Sequence, residues 1–190
     1  MDKQNDKTIE KNGLVLSEDG KIVVGVVDTS ITEVIIPEGI EAIGDYAFKG
    51  CRQLNTVNLP YSLKKIGFGA FIGTHLKEIA IPEGVEEIEE AAFYDSGLSV
   101  VSLPSTLKIL EEAFLGCRIS SMYISVRNLE SLKIYGQKES FLSNERMPWG
   151  NFTRPNWTKI YVPSDLIDTY KKHPVFGRFE HIEDITQPDE

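Results

Sequence analysis

The sequence predicts an α/β repeat solenoid made mostly of short β-strands, with about 22–23 residues in each coil. Three observations predict it. Four consecutive segments align with one another, a proline and a phenylalanine recur at the same period, and the apolar residues of every segment fall in shared columns. Self-similarity at a period of about 20 to 50 residues marks a chain that stacks one supersecondary unit on the next.

The four segments are ITEVIIPEGIEAIGDYAFKGC from Ile31, LNTVNLPYSLKKIGFGAFIGT from Leu54, LKEIAIPEGVEEIEEAAFYDS from Leu76 and LSVVSLPSTLKILEEAFLGC from Leu98, the last one residue short. Pro37, Pro60, Pro82 and Pro104 are spaced 23, 22 and 22, and Phe48, Phe71, Phe93 and Phe114 are spaced 23, 22 and 21. The columns are Ile31/Leu54/Leu76/Leu98, Val34/Val57/Ile79/Val101, Ile36/Leu59/Ile81/Leu103, Ile40/Leu63/Val85/Leu107 and Ile43/Ile66/Ile88/Ile109, followed by the Ala-Phe pair.

Within a segment, the alternation of LKEIAI stops at a proline that cannot donate to a ladder, which reads as a short strand ended by a turn. The VxxI step after it reads as a second short extended piece. One such coil cannot close its own apolar face, so stability has to accumulate by stacking along one dimension.

The chain is expected to form a single domain over residues 1–190, with four regular repeats at 31–118. Residues 1–30 form a tail and a β-hairpin cap, in which Leu14, Leu16, Ile22, Val24 and Val26 alternate around Ser17-Glu18-Asp19-Gly20. Residues 119–156 start a repeat with Ile119, Met122 and Ile124, then run into a long irregular stretch carrying Tyr135, Phe141, Trp149 and Phe152. Residues 157–190 form a C-terminal cap: Trp157, Ile160 and Val162 keep the strand columns, Ser164 starts a short helix with Leu166, Ile167 and Tyr170 inward, and Pro174 ends it. Phe176, Phe179 and Ile182 serve as final plugs.

The pattern LxxIxIPxxVxxIxxxAFxxC resembles the BspA-like leucine-rich repeats of bacterial surface proteins, and it holds almost position by position from Ile31 to about Cys117. The IYVP-helix ending is similar to that family's closing unit. The resemblance implies a right-handed leucine-rich-repeat coil at the cell surface or in the secreted fraction. It also implies a role in protein-protein interaction or adhesion, with a host or bacterial surface protein as partner. Met1 to Lys11 has no apolar segment of the kind a secretory leader needs, so a cytoplasmic location is the alternative.

Composition narrows the function. With 41% apolar and 26% charged residues the chain has the make-up of a soluble folded unit. Its formal charge of −9 repels phosphate backbones and anionic headgroups, which argues against nucleic acid. No stretch is apolar enough for membrane insertion.

No catalytic or cofactor set is visible. Gly67 and Gly69 in IGFGAFIG miss the GxGxxG spacing at Ile72, and Gly67 matches Gly44 of the preceding repeat. His75, His173 and His181 are scattered, and Glu86, Glu87, Glu89, Glu90, Glu111 and Glu112 lack the loop spacing of a calcium cage, so they read as a solvated face. Cys51 and Cys117 share a column with Thr74 and Ser96. Three coils of strand spacing put them about 14 Å apart, beyond the about 7 Å a disulfide spans, so two free buried thiols are expected.

The residues between the inward columns point outward, giving a row Ile35, Asn58, Ala80, Ser102, Tyr123 beside a row Glu33, Thr56, Glu78, Val100, Ser121. The expected partner-binding residues are Asn58, Ser102 and Tyr123 on this face, with Trp149 and Phe152 in the irregular stretch. Those loop aromatics either fill space beneath the C-terminal cap or offer stacking platforms for sugars, which makes a carbohydrate-binding module the alternative function.

Overall fold

The computed structural model describes residues 8–135 and 158–186. Three strands open it: β1 (Thr8–Lys11), β2 (Leu14–Ser17) and β3 (Ile22–Val26), paired antiparallel in sequence. Five coils follow, each giving one strand to each of two sides. Coil 1 carries β4 (Glu33–Ile35) and β5 (Ala42–Ile43), coil 2 β6 (Thr56–Asn58) and β7 (Lys65–Ile66), and coil 3 β8 (Glu78–Ala80) and β9 (Glu87–Ile88). Coil 4 carries β10 (Val100–Leu103) and β11 (Ile109–Glu111), and coil 5 β12 (Ser121–Ile124) and β13 (Lys133–Tyr135). Then come β14 (Lys159–Val162), a 3-10 turn at Ser164–Leu166, the helix α1 (Ile167–Lys172), a second 3-10 turn at Phe176–Arg178, and β15 (His181–Asp184). The molecule is a β-solenoid of about six turns with little helix.

One side is an eight-stranded sheet in the order β1-β2-β3-β5-β7-β9-β11-β13. The other is divided into β4-β6 and a five-stranded sheet β15-β14-β12-β10-β8. From coil to coil all pairing is parallel and in repeat register, for example Ile43↔Ile66, Ile66↔Ile88 and Val101↔Met122. The return segments are also laddered: the Phe48, Phe71 and Phe93 N–H groups donate to the carbonyls of Ala70, Ala92 and Ala113 in the next coil at 2.7–2.8 Å. This explains why the Ala-Phe pair recurs. The small residue lets the backbones approach, and the ring fills the centre.

The apolar columns form a single core. Phe48, Phe71, Phe93 and Phe114 are fully buried and stack in sequence, with ring centroids 4.9, 5.2 and 5.3 Å apart and interplanar angles of 3°, 2° and 11°. Cys51, Thr74, Ser96 and Cys117 are buried in one column, and both cysteines are free. The Cys117 thiol donates to the Phe93 carbonyl at 3.0 Å, and burial raises its pKa.

Three expectations are corrected. In coil 4 the inward residue is Leu110, paired with Ile88, while Ile109 pairs with Glu87 and is only partly buried. The missing residue of that repeat therefore falls after the second strand, and the three-residue step from Leu107 is preserved. In β3 it is Val23 that is buried, whereas Val24 is 41% exposed. A bulge at Val15/Leu16 pairs Leu14 with Val26 but Leu16 with Val23, and so reverses the side-chain alternation.

Ser164 makes no side-chain cap; it opens the 3-10 turn, and α1 begins at Ile167. Tyr170 on that helix is fully buried and donates its hydroxyl to the Val126 carbonyl at 2.7 Å. Phe176, Phe179 and Ile182 are buried behind it, Ile182 on a strand parallel to β14.

Candidate functional site

The outward row forms as the strand period requires, in two separate stretches. Ile35 pairs with Asn58, while Ala80, Ser102, Tyr123 and Tyr161 follow one another in register. Beside them run Glu33 with Thr56, and Glu78, Val100, Ser121 and Lys159. Two large apolar side chains stand out from this side, Ile35 at 72% exposure and Tyr61 at 77%.

Between Asn58 and Ala80 the row is interrupted by a cleft of about 720 Å³, lined by residues that include Asn58, Tyr61, Glu78, Ala80 and Ser102. Of the expected contact residues, the fold thus brings Asn58 and Ser102 to one cleft. Tyr123 lies farther along, partly buried and stacked on Tyr161 at 4.7 Å and 13°. Tyr161, although it sits in the outward phase, is 2% exposed. Sequence reasoning passed over Tyr161 and Tyr61; the alternation Ile160-Tyr161-Val162 carried the signal for the first, and nothing local marked the second. Trp149, Phe152 and Trp157 lie outside the described residues.

The corner after each strand differs from one junction to the next. In coil 1 the Glu38 carboxylate accepts the Tyr61 and Ser62 N–H groups at 3.0 and 3.2 Å. Ser62 Oγ accepts the Gly39 N–H at 2.9 Å and donates to the Ile40 carbonyl at 2.7 Å. Coils 3 and 4 repeat the arrangement. Glu83 accepts the Ser105 N–H and hydroxyl at 2.9 and 2.8 Å, and Thr106 Oγ1 accepts the Gly84 N–H at 2.9 Å while donating to the Val85 carbonyl at 2.8 Å. Gly39 and Gly84, at φ of 95° and 106°, supply the left-handed backbone that aims those N–H groups at the next coil.

The clamp needs an acid and glycine in the earlier coil and a hydroxyl in the later one. Between coils 2 and 3 those places hold Tyr61, Ser62 and Gly84, so no clamp forms there. This is the junction at which β6 and β8 do not pair. Lack of a clamp is not sufficient for opening, since β10 and β12 pair without one.

Glu86, Glu87 and Glu89 of coil 3 lie on the side of the eight-stranded sheet and meet lysines of neighbouring coils. Lys108 meets Glu86 at 2.8 Å, and Lys65 meets Glu89 at 2.5 Å and Glu87 at 3.6 Å. Such surface pairs contribute little to stability. His75 lies against the Arg52 carbonyl, His173 packs 5.1 Å from the Phe176 ring, and His181 is exposed on β15. Among the described residues no group of three His, Cys, Asp or Glu side chains is placed to hold a metal ion, and no helix is long and apolar enough to cross a membrane.

The model of the BspA type leucine rich repeat region matches residues 27–142, in six copies. No curated protein matches the chain. Among solved structures, the pneumococcal vaccine antigen PcpA superposes with a TM-score of 0.64 at 18% identity, covering 98% of this chain and 49% of that one. A leucine-rich repeat protein from Eubacterium ventriosum gives 0.57 at 21% identity, covering 65% and 35% respectively. A leucine rich cell surface protein from Faecalibacterium prausnitzii gives 0.53 at 18% identity, covering 68% and 43%. The chain thus spans half or less of the length of these structures, and at such identities the likeness is one of fold.

Proposed function

The chain belongs to the BspA-type leucine-rich repeat family, and from this premise we propose that it is a protein-interaction module that contacts its partner through the outward face of β4, β6, β8 and β10. Repeats of this family generally serve protein interaction and are typically non-catalytic. We further read the role as adhesive and the location as the cell surface. In support, one similar fold is named a cell surface protein and another a vaccine antigen.

The observation that carries the reading is the cleft holding Asn58 and Ser102, with exposed Ile35 and Tyr61 beside it. Binding energy in interfaces concentrates in a few residues, among which tyrosine is enriched. Affinity capture with the purified chain, set against Asn58→Arg/Ser102→Arg, tests it. Loss of at least tenfold in recovered partner is expected with thermal stability unchanged, and equal recovery by both chains refutes this face.

A further inference from the structure

We propose that the opening between β6 and β8 is a strand-insertion site for an extended, cationic segment of a protein partner. The inference rests on the interaction reading above and specifies how that face binds.

On either side of the opening the same ladder bond is made: Ile36 N–H donates to the Asn58 carbonyl and Ile81 N–H to the Ser102 carbonyl, each at 3.0 Å. The equivalent bond from Leu59 to Ala80 is absent, and no ladder joins the two strands. Backbone groups alternate along a strand. Since Asn58 is turned toward β4, Val57 and Leu59 are turned toward β8; since Ile81 is turned toward β10, Glu78 and Ala80 are turned toward β6. Among the described residues none bonds these four edges.

Unpaired edges are templates for another chain's backbone, and here two of them face one cleft. Its volume, about 720 Å³, lies within the range of about 300–1,000 Å³ of sites that hold a ligand. Each edge is three residues long, which matches a segment rising roughly 10 Å at about 3.3 Å per residue.

The opening is a wedge and not a break in the solenoid. Behind it β7 and β9 pair, Phe71 and Phe93 stack at 5.2 Å, and Lys65 bridges to Glu89. Charge selects the occupant: Glu78 is the charged side chain among the lining residues, Glu33 lies in the same outward phase two strands away, and the chain carries −9. A segment with lysine or arginine at alternate positions would set its cations on the outward face over Glu78 and turn its other side chains inward, toward Val57 and Ile79.

The probe is an acetylated, amidated nonapeptide alternating lysine and valine, carrying a fluorophore and read by anisotropy against the intact chain. Expected are saturable binding and at least tenfold slower amide exchange at Val57, Leu59, Glu78 and Ala80. At least tenfold weaker binding is expected for a version N-methylated at alternate residues, for a glutamate-valine version, and for Glu78→Lys. Glu78 is exposed, so the last variant is expected to leave the fold unchanged, which circular dichroism checks. Absence of binding, equal binding of the N-methylated peptide, or protection confined to other strands overturns the proposal. If any of these holds while Asn58→Arg/Ser102→Arg still abolishes partner capture, insertion fails and the interaction face stands. If capture is untouched by that double variant, the interaction reading itself falls.

Discussion

The ring of Phe71 lies 4.9 Å from that of Phe48 with only 3° between their planes, and Phe93 repeats the contact on its other side at 5.2 Å. Near-parallel rings at this separation follow from the coil repeat, since each phenylalanine occupies the same place one turn on. Phe71→Ala removes the shared neighbour of both and leaves a cavity with no route for collapse. A loss of about 3–5 kcal/mol is expected, which for a chain of this size lowers Tm by roughly 10 °C. Thermal unfolding followed by circular dichroism checks it, and a loss below about 1 kcal/mol would contradict the stack.

The corner clamps make a second prediction. Ser62→Ala or Thr106→Ala strips the Gly39 or Gly84 N–H of its acceptor and a carbonyl of its donor. Each is expected to cost about 1–2 kcal/mol. Ser99→Ala, whose exposed hydroxyl makes one bond of 3.2 Å, is expected to cost less than about 0.5 kcal/mol. Chemical denaturation of the three variants gives the comparison, and an equal effect at all three positions would remove the clamp as a special feature.

Tyr170 ties the last helix to coil 5, and its titration is readable in stability. Burial pushes its hydroxyl well above the ordinary value of 10.0. The folded state therefore keeps a proton that the unfolded chain releases. That contribution is fully present below pH 10 and is lost as pH rises beyond it. Tyr170→Phe should lower stability by about 1–2 kcal/mol at pH 7, because the buried Val126 carbonyl loses its donor. It should also flatten the decline above pH 10, and a decline as steep as in the unmutated chain would show that Tyr170 does not titrate as argued.

Cys51 and Cys117 should resist modification. Both are buried, and burial pushes both thiols above the usual 9.0, so little thiolate is present at pH 8. An aromatic disulfide reagent should react with neither thiol promptly in the native state and with two per chain in denaturant. Prompt reaction of one thiol in the native state would mean that its coil opens locally.

The solenoid was legible because its signal is repeated. Four copies of one pattern average out local ambiguity, and burial of the Phe, Cys51/Thr74/Ser96/Cys117 and Leu54/Leu76/Leu98 columns follows from period alone. Where a feature occurs once, that averaging is lost. The choice between Ile109 and Leu110 depended on where a one-residue deletion fell, and the reversal at Val23/Val24 on a bulge that no residue type announces.

The sequence by itself determined the coil, its core columns and the face turned outward, because these depend on side-chain periodicity, which any stacked copy must obey. Only the tertiary structure decided that β6 and β8 part while β7 and β9 close, that Asn58 and Ser102 meet at one cleft, and that Tyr161 is buried. Those outcomes turn on contacts between different coils, such as the stack of Tyr123 on Tyr161, and such contacts depend on which coils become neighbours and not on either coil alone.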